Sequence, residues 1–511
     1  MAIFRPNSAG GGDRKGPNEA HYTKDDSNSE STDPSDVLAE REAVWRLDLA
    51  VIPIVSLFYF LSFLDRANLG NARVAGLQKG LGLSEFQYSM ALTTTYIPYI
   101  AAEIPANLFL KKIGPHIILP TIVAIWGIIT ACQGLVTSYA GLVAARFFLG
   151  LVEGGMFPGI VLYLSYFYTR RELQLRIALF FSSASLSGAF SGLLAYGLIR
   201  LDGVGGRPGW AWIFIVEGLF TFVCGVLGYF IIPSTPASAR FLNSEQKRII
   251  FRRLAQDQPT TMDNEEVFSW SEVLASFKSL HVQLNFVALF MSGTSLYSLA
   301  YFQPTIVNSL GYSTSRTQLM SVPPFASAFV VMLATAYLSD RYRARGITAC
   351  GCAVIALIGF IMFFCSKPNQ HKLKYGSLFL SVAGVYSIPP PLSAWQANNS
   401  FCHYRKAVSI ALGFVATNLG GVLSTWMFPK RDGPEYRMAT IINMTFSVGT
   451  VVFAILNLCW LRYANVRKKT RRDKLLQNYQ LNLADPQISH TENIRAWHEL
   501  GDQHPDFKYA Y

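Results

Sequence analysis

Leu61-Ser62-Phe63-Leu64-Asp65-Arg66-Ala67-Asn68 closes an apolar run that begins near Leu49. An acid and a base stand side by side where hydrocarbon is expected. A charged side chain at membrane depth costs at least ~2.5–3.5 kcal/mol on insertion scales, and it is usually kept there because it faces a cavity or a partner. Successive helical residues are rotated by roughly 100°, so Asp65 and Arg66 can serve different surroundings. The simpler alternative is that the helix ends here and the pair lies among headgroups.

The whole chain sets the context. Of 511 residues, 51% are hydrophobic and only 15% charged, with a mean hydropathy of +0.27. Soluble domains carry roughly 25% charged residues. Apolar runs of about 20 residues recur, the pattern of an all-α membrane protein that crosses the bilayer repeatedly. The net charge of +12 reads as basic loops and tails rather than nucleic-acid binding. Cys132, Cys224, Cys350, Cys352, Cys365, Cys402 and Cys459 lie almost entirely within apolar runs and suit helix packing better than a disulfide framework or a zinc site. Residues 1–44 are expected to be a disordered tail, rich in Gly, Ser, Asp and Asn and unlike a signal peptide.

Twelve spans are expected, at approximately 47–68, 86–110, 117–136, 140–164, 177–199 and 211–232, then 282–308, 319–339, 347–366, 375–399, 407–428 and 440–462. They divide the chain into a six-helix bundle over 45–232, a polar linker over 233–280, a second bundle over 281–464 and a basic tail over 465–511. The linker carries Arg240, Lys247, Arg248, Arg252 and Arg253 between apolar residues, as an amphipathic surface helix does. An even number of spans puts both termini on the linker's side, and its basic charge makes that side cytoplasmic. The fifth span is crowded with small residues between Ser182 and Gly192, which allow close helix approach.

Charge at membrane depth concentrates in the first half. Arg146 and Glu153 in the fourth span are seven apart, two turns or roughly 10.5 Å, so they share a face but cannot pair directly. Asp65, Arg66 and Glu103 are the nearest candidate partners. A buried carboxyl can take up and release a proton as its surroundings alternate, which makes Asp65 and Glu153 the candidates for proton coupling. A guanidinium presents a planar fork that matches a carboxylate, and Arg66 is the candidate for binding a substrate anion. The same charges would also suit a static ion-pair cluster, the reading favoured for Arg146 and Glu103. Glu217 in the sixth span has no evident partner and is read as packing or gating.

The second half offers amides, hydroxyls and rings instead: Tyr297 in the seventh span, Ser393, Trp395 and Gln396 in the tenth, and Asn418 in the eleventh. These can orient a substrate while the first bundle handles charge. Interhelical hydrogen bonding is the competing role for each amide. After the eighth span, Asp340 and Arg341 form a charged turn whose counterpart after the second span, Lys111-Lys112-Ile113-Gly114, lacks the acid. The paired turns point to an internal repeat, as in transporters.

The Asp340-Arg341 turn and the stretch from Arg146 to Gly155 resemble signatures of the major facilitator superfamily. Leu64-Asp65-Arg66-Ala67-Asn68-Leu69-Gly70-Asn71-Ala72, with Arg146–Gly155 and Trp395–Asn399, is similar to its anion:cation symporter family. Tyr301-Phe302-Gln303-Pro304 and Asn418-Leu419-Gly420-Gly421 resemble the fungal allantoate, nicotinate and pantothenate permease branch. The resemblance implies twelve transmembrane helices in two bundles related by a pseudo-two-fold axis. It implies proton-coupled uptake of a small organic anion by alternating access. Asp65, Arg66 and Glu153 match the family's proton and substrate positions, with Ser393, Trp395, Gln396 and Asn418 completing the site. The expected partners are the anion, protons and lipid, with the proton as the only coupling ion, no cofactor or metal, and a monomer in the plasma membrane. An exporter or facilitator on the same fold, or a nutrient sensor, remain the alternatives. No metalloprotease or serine-hydrolase motif points to an enzyme.

Overall fold

The computed structural model describes residues 34–257 and 270–476 apart from 343, 368, 401 and 402, together with 496 and 500–511. The tail expected over residues 1–33 and the packing of Cys402 lie outside the described residues.

The first half comprises α1 (Pro34–Val74), the short α2 (Leu77–Gly80), α3 (Glu85–Ile113), α4 (Pro115–Gln133), α5 (Tyr139–Glu153), α6 (Met156–Ser165), α7 (Arg170–Leu198) and α8 (Gly209–Ile231). The linker forms α9 (Ser244–Asp257) and α10 (Trp270–Lys278). The second half comprises α11 (Leu280–Ser309), α12 (Thr314–Tyr342), α13 (Arg345–Cys365), α14 (His371–Ser387), α15 (Pro389–Asn398), α16 (His403–Ser424) and α17 (Arg437–Thr470), followed by α18 (Arg472–Leu476).

These elements make twelve passes, because two spans are broken. Gly154 and Gly155 separate α5 from α6 in the fourth. In the tenth, Ile388 precedes three prolines and divides α14 from α15, since prolines lack the N–H groups that would carry helical hydrogen bonds across the break. Helix starts are set locally: Ser84 and Gln87 form a reciprocal capping box on α3, and Ser138 accepts from the Gly141 N–H on α5 at 3.2 Å.

Among the described residues, eight helices are long and apolar enough to cross a membrane. The weaker passes contain α3, α11, α14 with α15, and α16. They carry the hydroxyls, amides and rings of the interface between bundles, and buried polar lining lowers hydropathy without changing the path.

The helix pairing repeats. In the first half α1 packs on α7, α3 on α5 and α4 on α8; in the second α11 packs on α16, α12 on α14 and α13 on α17. Between the halves, α7 meets α12 and α3 meets α16, contacts that a two-fold axis exchanges. The small residues of α7 serve this junction: a Cβ on Gly188 would stand 2.6 Å from the Phe325 ring, and one on Gly192 would stand 2.7 Å from the Gln318 carbonyl. Gly70 similarly admits the Tyr301 carbonyl of α11 against α1.

Both ends of the chain depart from expectation. The first helix begins at Pro34, so residues 34–44 are not an unstructured tail. This stretch finds partners far away in sequence: Glu40 pairs with Arg253 of α9 at 2.5 Å, and about two turns on Asp48 pairs with Arg176 of α7 at 2.7 Å. At the other end, α17 continues to Thr470 and residues 500–511 fold back onto the second bundle. The Ala510 carbonyl accepts from Trp395 Nε1 at 2.8 Å and from Asn399 at 3.1 Å. Asn465 exchanges hydrogen bonds with the Tyr509 backbone, both at 3.0 Å, and Arg405 pairs with Asp502. Lys468 lies 3.4 Å from the centre of the Tyr509 ring. This strap ties the linker-side ends of α13, α15, α16 and α17 together.

Candidate functional site

Between the bundles lies a cavity of about 530 Å³, its open side included. Tyr59, Ser62, Phe63 and Arg66 of α1 reach it, at spacings i, i+3, i+4 and i+7 that put them on one helical face. Tyr99 comes from α3, and Met156 and Phe157 from α6. The second bundle contributes Tyr297 from α11, Ser393 from α15, and Phe414, Thr417 and Asn418 from α16.

Arg66 is the one charged side chain in this lining. It is 6% exposed, so its charge must be answered by protein. Nη2 donates to Glu153 Oε1 at 2.9 Å, and Ser62 Oγ donates to the same oxygen. Nη1 donates across the cavity to the Tyr297 hydroxyl at 2.8 Å, which donates onward to Asn418 Oδ1 at 3.3 Å. The guanidinium carbon stands 5.1 Å, 5.5 Å and 5.4 Å from the rings of Phe63, Tyr99 and Tyr297. A cation is thus held in an aromatic box with one carboxylate as its ionic partner.

The ends of the cavity differ. On the side away from the linker, Tyr96 and Tyr301 share a hydrogen bond at 2.8 Å, as do Thr93 and Thr425, and Trp426 donates to Thr93 at 3.1 Å. These layers join α3 to α11 and α16. On the linker side, one turn beyond Glu153 and Asn418, Phe157 and Phe414 meet with ring centres 3.7 Å apart.

Asp65 faces away from the cavity. It pairs with Arg146 of α5 at 3.2 Å, and both are nearly inaccessible. The one-residue offset from Arg66 sends its side chain into the first bundle, so the acid and the base meet different surroundings. Glu217 of α8 also has a partner, the Asn68 amide, which donates to Oε2. Glu103 is buried on α3 outside the cavity lining.

Trp395 and Gln396 require the plainest correction, because neither lines the cavity. Trp395 packs against His281, 5.8 Å between ring centres, and donates to the strap. Gln396 accepts from Asn285 at 2.6 Å and donates to the Ser409 carbonyl. Trp395, two residues beyond Ser393, lies on the opposite face of the helix, whereas Gln396, nearly one turn on, is held inside the second bundle by Asn285 and Ser409. At the turn after α12, Asp340 pairs with Arg345 of α13 at 3.5 Å, and Arg341 donates to Tyr337 at 3.0 Å. Both are structural contacts remote from the cavity. The sequence reading omitted Ser62, Phe63 and Tyr59, although the eight-residue stripe from Tyr59 to Arg66 marks them.

Residues 55–425 match the family model of the Major Facilitator Superfamily, and the chain belongs to this superfamily. It is 35% identical over 433 residues to an uncharacterized transporter of Schizosaccharomyces pombe, covering 84% of this chain and 86% of the other. It is 32% identical to the MFS-type transporter efuF of Hormonema carpetanum (83% and 85% covered) and 31% identical to the major facilitator-type transporter hxnP of Emericella nidulans (85% and 88% covered). Among solved structures it resembles the D-xylose-proton symporter, with a TM-score of 0.60, 15% identity and 80% and 97% of the two chains covered. A bacterial homologue of the lysosomal transporter Spinster in its inward-facing form gives 0.59 at 15% identity, with 80% and 94% covered. The protein is a multi-pass membrane transporter of this fold.

Proposed function

We propose that the protein takes up a small organic anion together with a proton, as a member of the anion:cation symporter branch of its superfamily. One observation carries the reading: Arg66 is the lone cation of the central cavity, and its ionic partner there is a carboxyl, Glu153. An entering carboxylate competes with Glu153 for the same guanidinium. A buried Glu153 that loses its cation cannot stay ionised cheaply, since an unpaired charge in this setting costs several kcal/mol, so it takes up a proton. Anion and proton then occupy the site together and leave together. Ser62 holds the Glu153 oxygen, while Tyr297 and Asn418 connect the anion site to the second bundle.

The likeness to a xylose symporter is one of fold, and the substrate class is argued from the cavity. A guanidinium ringed by aromatic side chains suits a carboxylate better than a neutral sugar. The basic linker and tail favour an orientation with both termini in the cytoplasm, and we assign the protein to the plasma membrane. Uptake of labelled allantoate, nicotinate and pantothenate, with xylose as control, into a transporter-deficient fungal host tests the reading. Accumulation of at least one anion should collapse with an uncoupler. Glu153→Gln should abolish accumulation yet keep exchange of labelled for unlabelled anion. Accumulation indifferent to the uncoupler sinks the symport reading.

A further inference from the structure

Behind the cavity, the interior of the first bundle holds a carboxyl that the exchange at Arg66 does not use. Glu217 is 2% exposed and its partner is an amide, Asn68, rather than a cation. The charges that act on it are Asp65 from α1 and Arg146 from α5; α4, which packs on α8, buries the neutral Thr130 and Gln133. Arg146 is already engaged with Asp65. The two guanidiniums of Arg66 and Arg146 therefore face the three carboxyls of Asp65, Glu153 and Glu217. Two of these acids have ion-pair partners, and Glu217 is the third. A net charge left in so dry a place is expensive.

The hydrogen bonding points the same way. Asn68 Nδ2 donates to Glu217 Oε2, while Glu217 Oε1 and Asn68 Oδ1 are both buried acceptors without a donor. One proton on Oε1 turns it into a donor, and Asn68, already bonded to the other oxygen of the same carboxyl, holds an acceptor that lacks one. An ionised Glu217 leaves both acceptors stranded.

We propose that Glu217 is a second proton-exchanging carboxyl, held neutral beside Asn68 in the packed first bundle. The step is a bare proton transfer: Oε1 gains H⁺ from solvent as the surroundings become acidic and returns it as they become alkaline. The place of this proton in the cycle rests on the symport reading; its chemistry at Glu217 does not.

The test is infrared difference spectroscopy on the full-length protein in lipid, stepping between acid and alkaline buffers and reading the stretch of protonated carboxyls. Among the bands that the wild type loses in the buried-carboxyl region, two should belong to Glu153 and Glu217. Glu217→Gln should lack one, Glu153→Gln the other, and Glu217→Asp should restore the first at a displaced frequency. A Glu217→Gln spectrum matching the wild type overturns the inference. The uncoupler experiment judges the symport reading separately, so failure of one is not mistaken for failure of the other.

Discussion

The first bundle buries Asp65, Arg66, Arg146, Glu153 and Glu217 along its helices, while the second fills matching depths with amides and hydroxyls. There, Asn285 donates to Gln396 at 2.6 Å, Ser298 to Asn443 at 3.3 Å, and His281 meets Asn457 at 2.8 Å. Lys374 is a buried cation of that bundle, near the outer start of α14, with its ammonium 5.7 Å from the Phe363 ring centre. The two halves share one pairing of helices, so the difference lies in chemistry rather than architecture. Neutral hydrogen bonds keep their strength whether or not an anion is present. Ion pairs do not, because a competing charge changes which partner is satisfied. One half can therefore respond to substrate while the other receives it.

Removing the cation tests that division most severely. Arg66→Ala should abolish uptake of anions while leaving the folded protein in the membrane. Each hydrogen bond to a charged group contributes about 1.5–3 kcal/mol, so losing two should reduce the apparent affinity by at least about 100-fold. Normal uptake by this variant would remove the asymmetry from the mechanism.

The next effect concerns stability. Arg146→Met leaves Asp65 buried without its cation and should cost about 3–5 kcal/mol, read as a lower melting temperature in detergent. Adding Asp65→Asn should recover most of the loss, because the pair is then replaced by neutral groups. A double variant as unstable as the single one means that the two residues do not depend on each other.

The strap of the second bundle should give the smallest change. Trp395→Phe deletes its bond to the Ala510 carbonyl, worth about 0.5–1.5 kcal/mol, and should speed amide exchange across residues 500–511 while leaving anion affinity intact. Loss of affinity would return Trp395 to the binding site. The strap also carries a pH dependence. Burial lowers the pKa of His504, only partly opposed by the Asp506 carboxylate, and His504 Nδ1 accepts from the Asp506 N–H at 3.2 Å. The docked form thus binds a proton less readily than the released one. Docking is at full strength above about pH 6.5, the ordinary histidine value, and weakens as pH falls below it. Exchange measured at pH 7.5 and 5.5, corrected for intrinsic rates, should show faster opening at the lower pH.

Much of the fold was legible in the sequence. All twelve passes fall near their expected positions, even the four whose polar lining weakens their hydropathy, because span length is dictated by bilayer thickness and each run is bounded by glycine, proline or charge. The charged residues were legible for the same reason: a carboxyl or guanidinium in an apolar run is costly enough to announce itself. Their partners were less so. Arg146 lies 81 residues from Asp65 and Glu217 lies 149 from Asn68, and nothing local in a sequence encodes which helices of a bundle touch.

Asp65-Arg66 by itself determined that the first helix carries charge inside the membrane and sends its acid and its base in different directions. Packing decided which direction meets the cavity. It gave Arg66 to Glu153 and Tyr297, Asp65 to Arg146, and Trp395 to a strap from more than a hundred residues away. Periodicity along one helix specifies faces, whereas the identity of what each face meets arises only when distant helices pack.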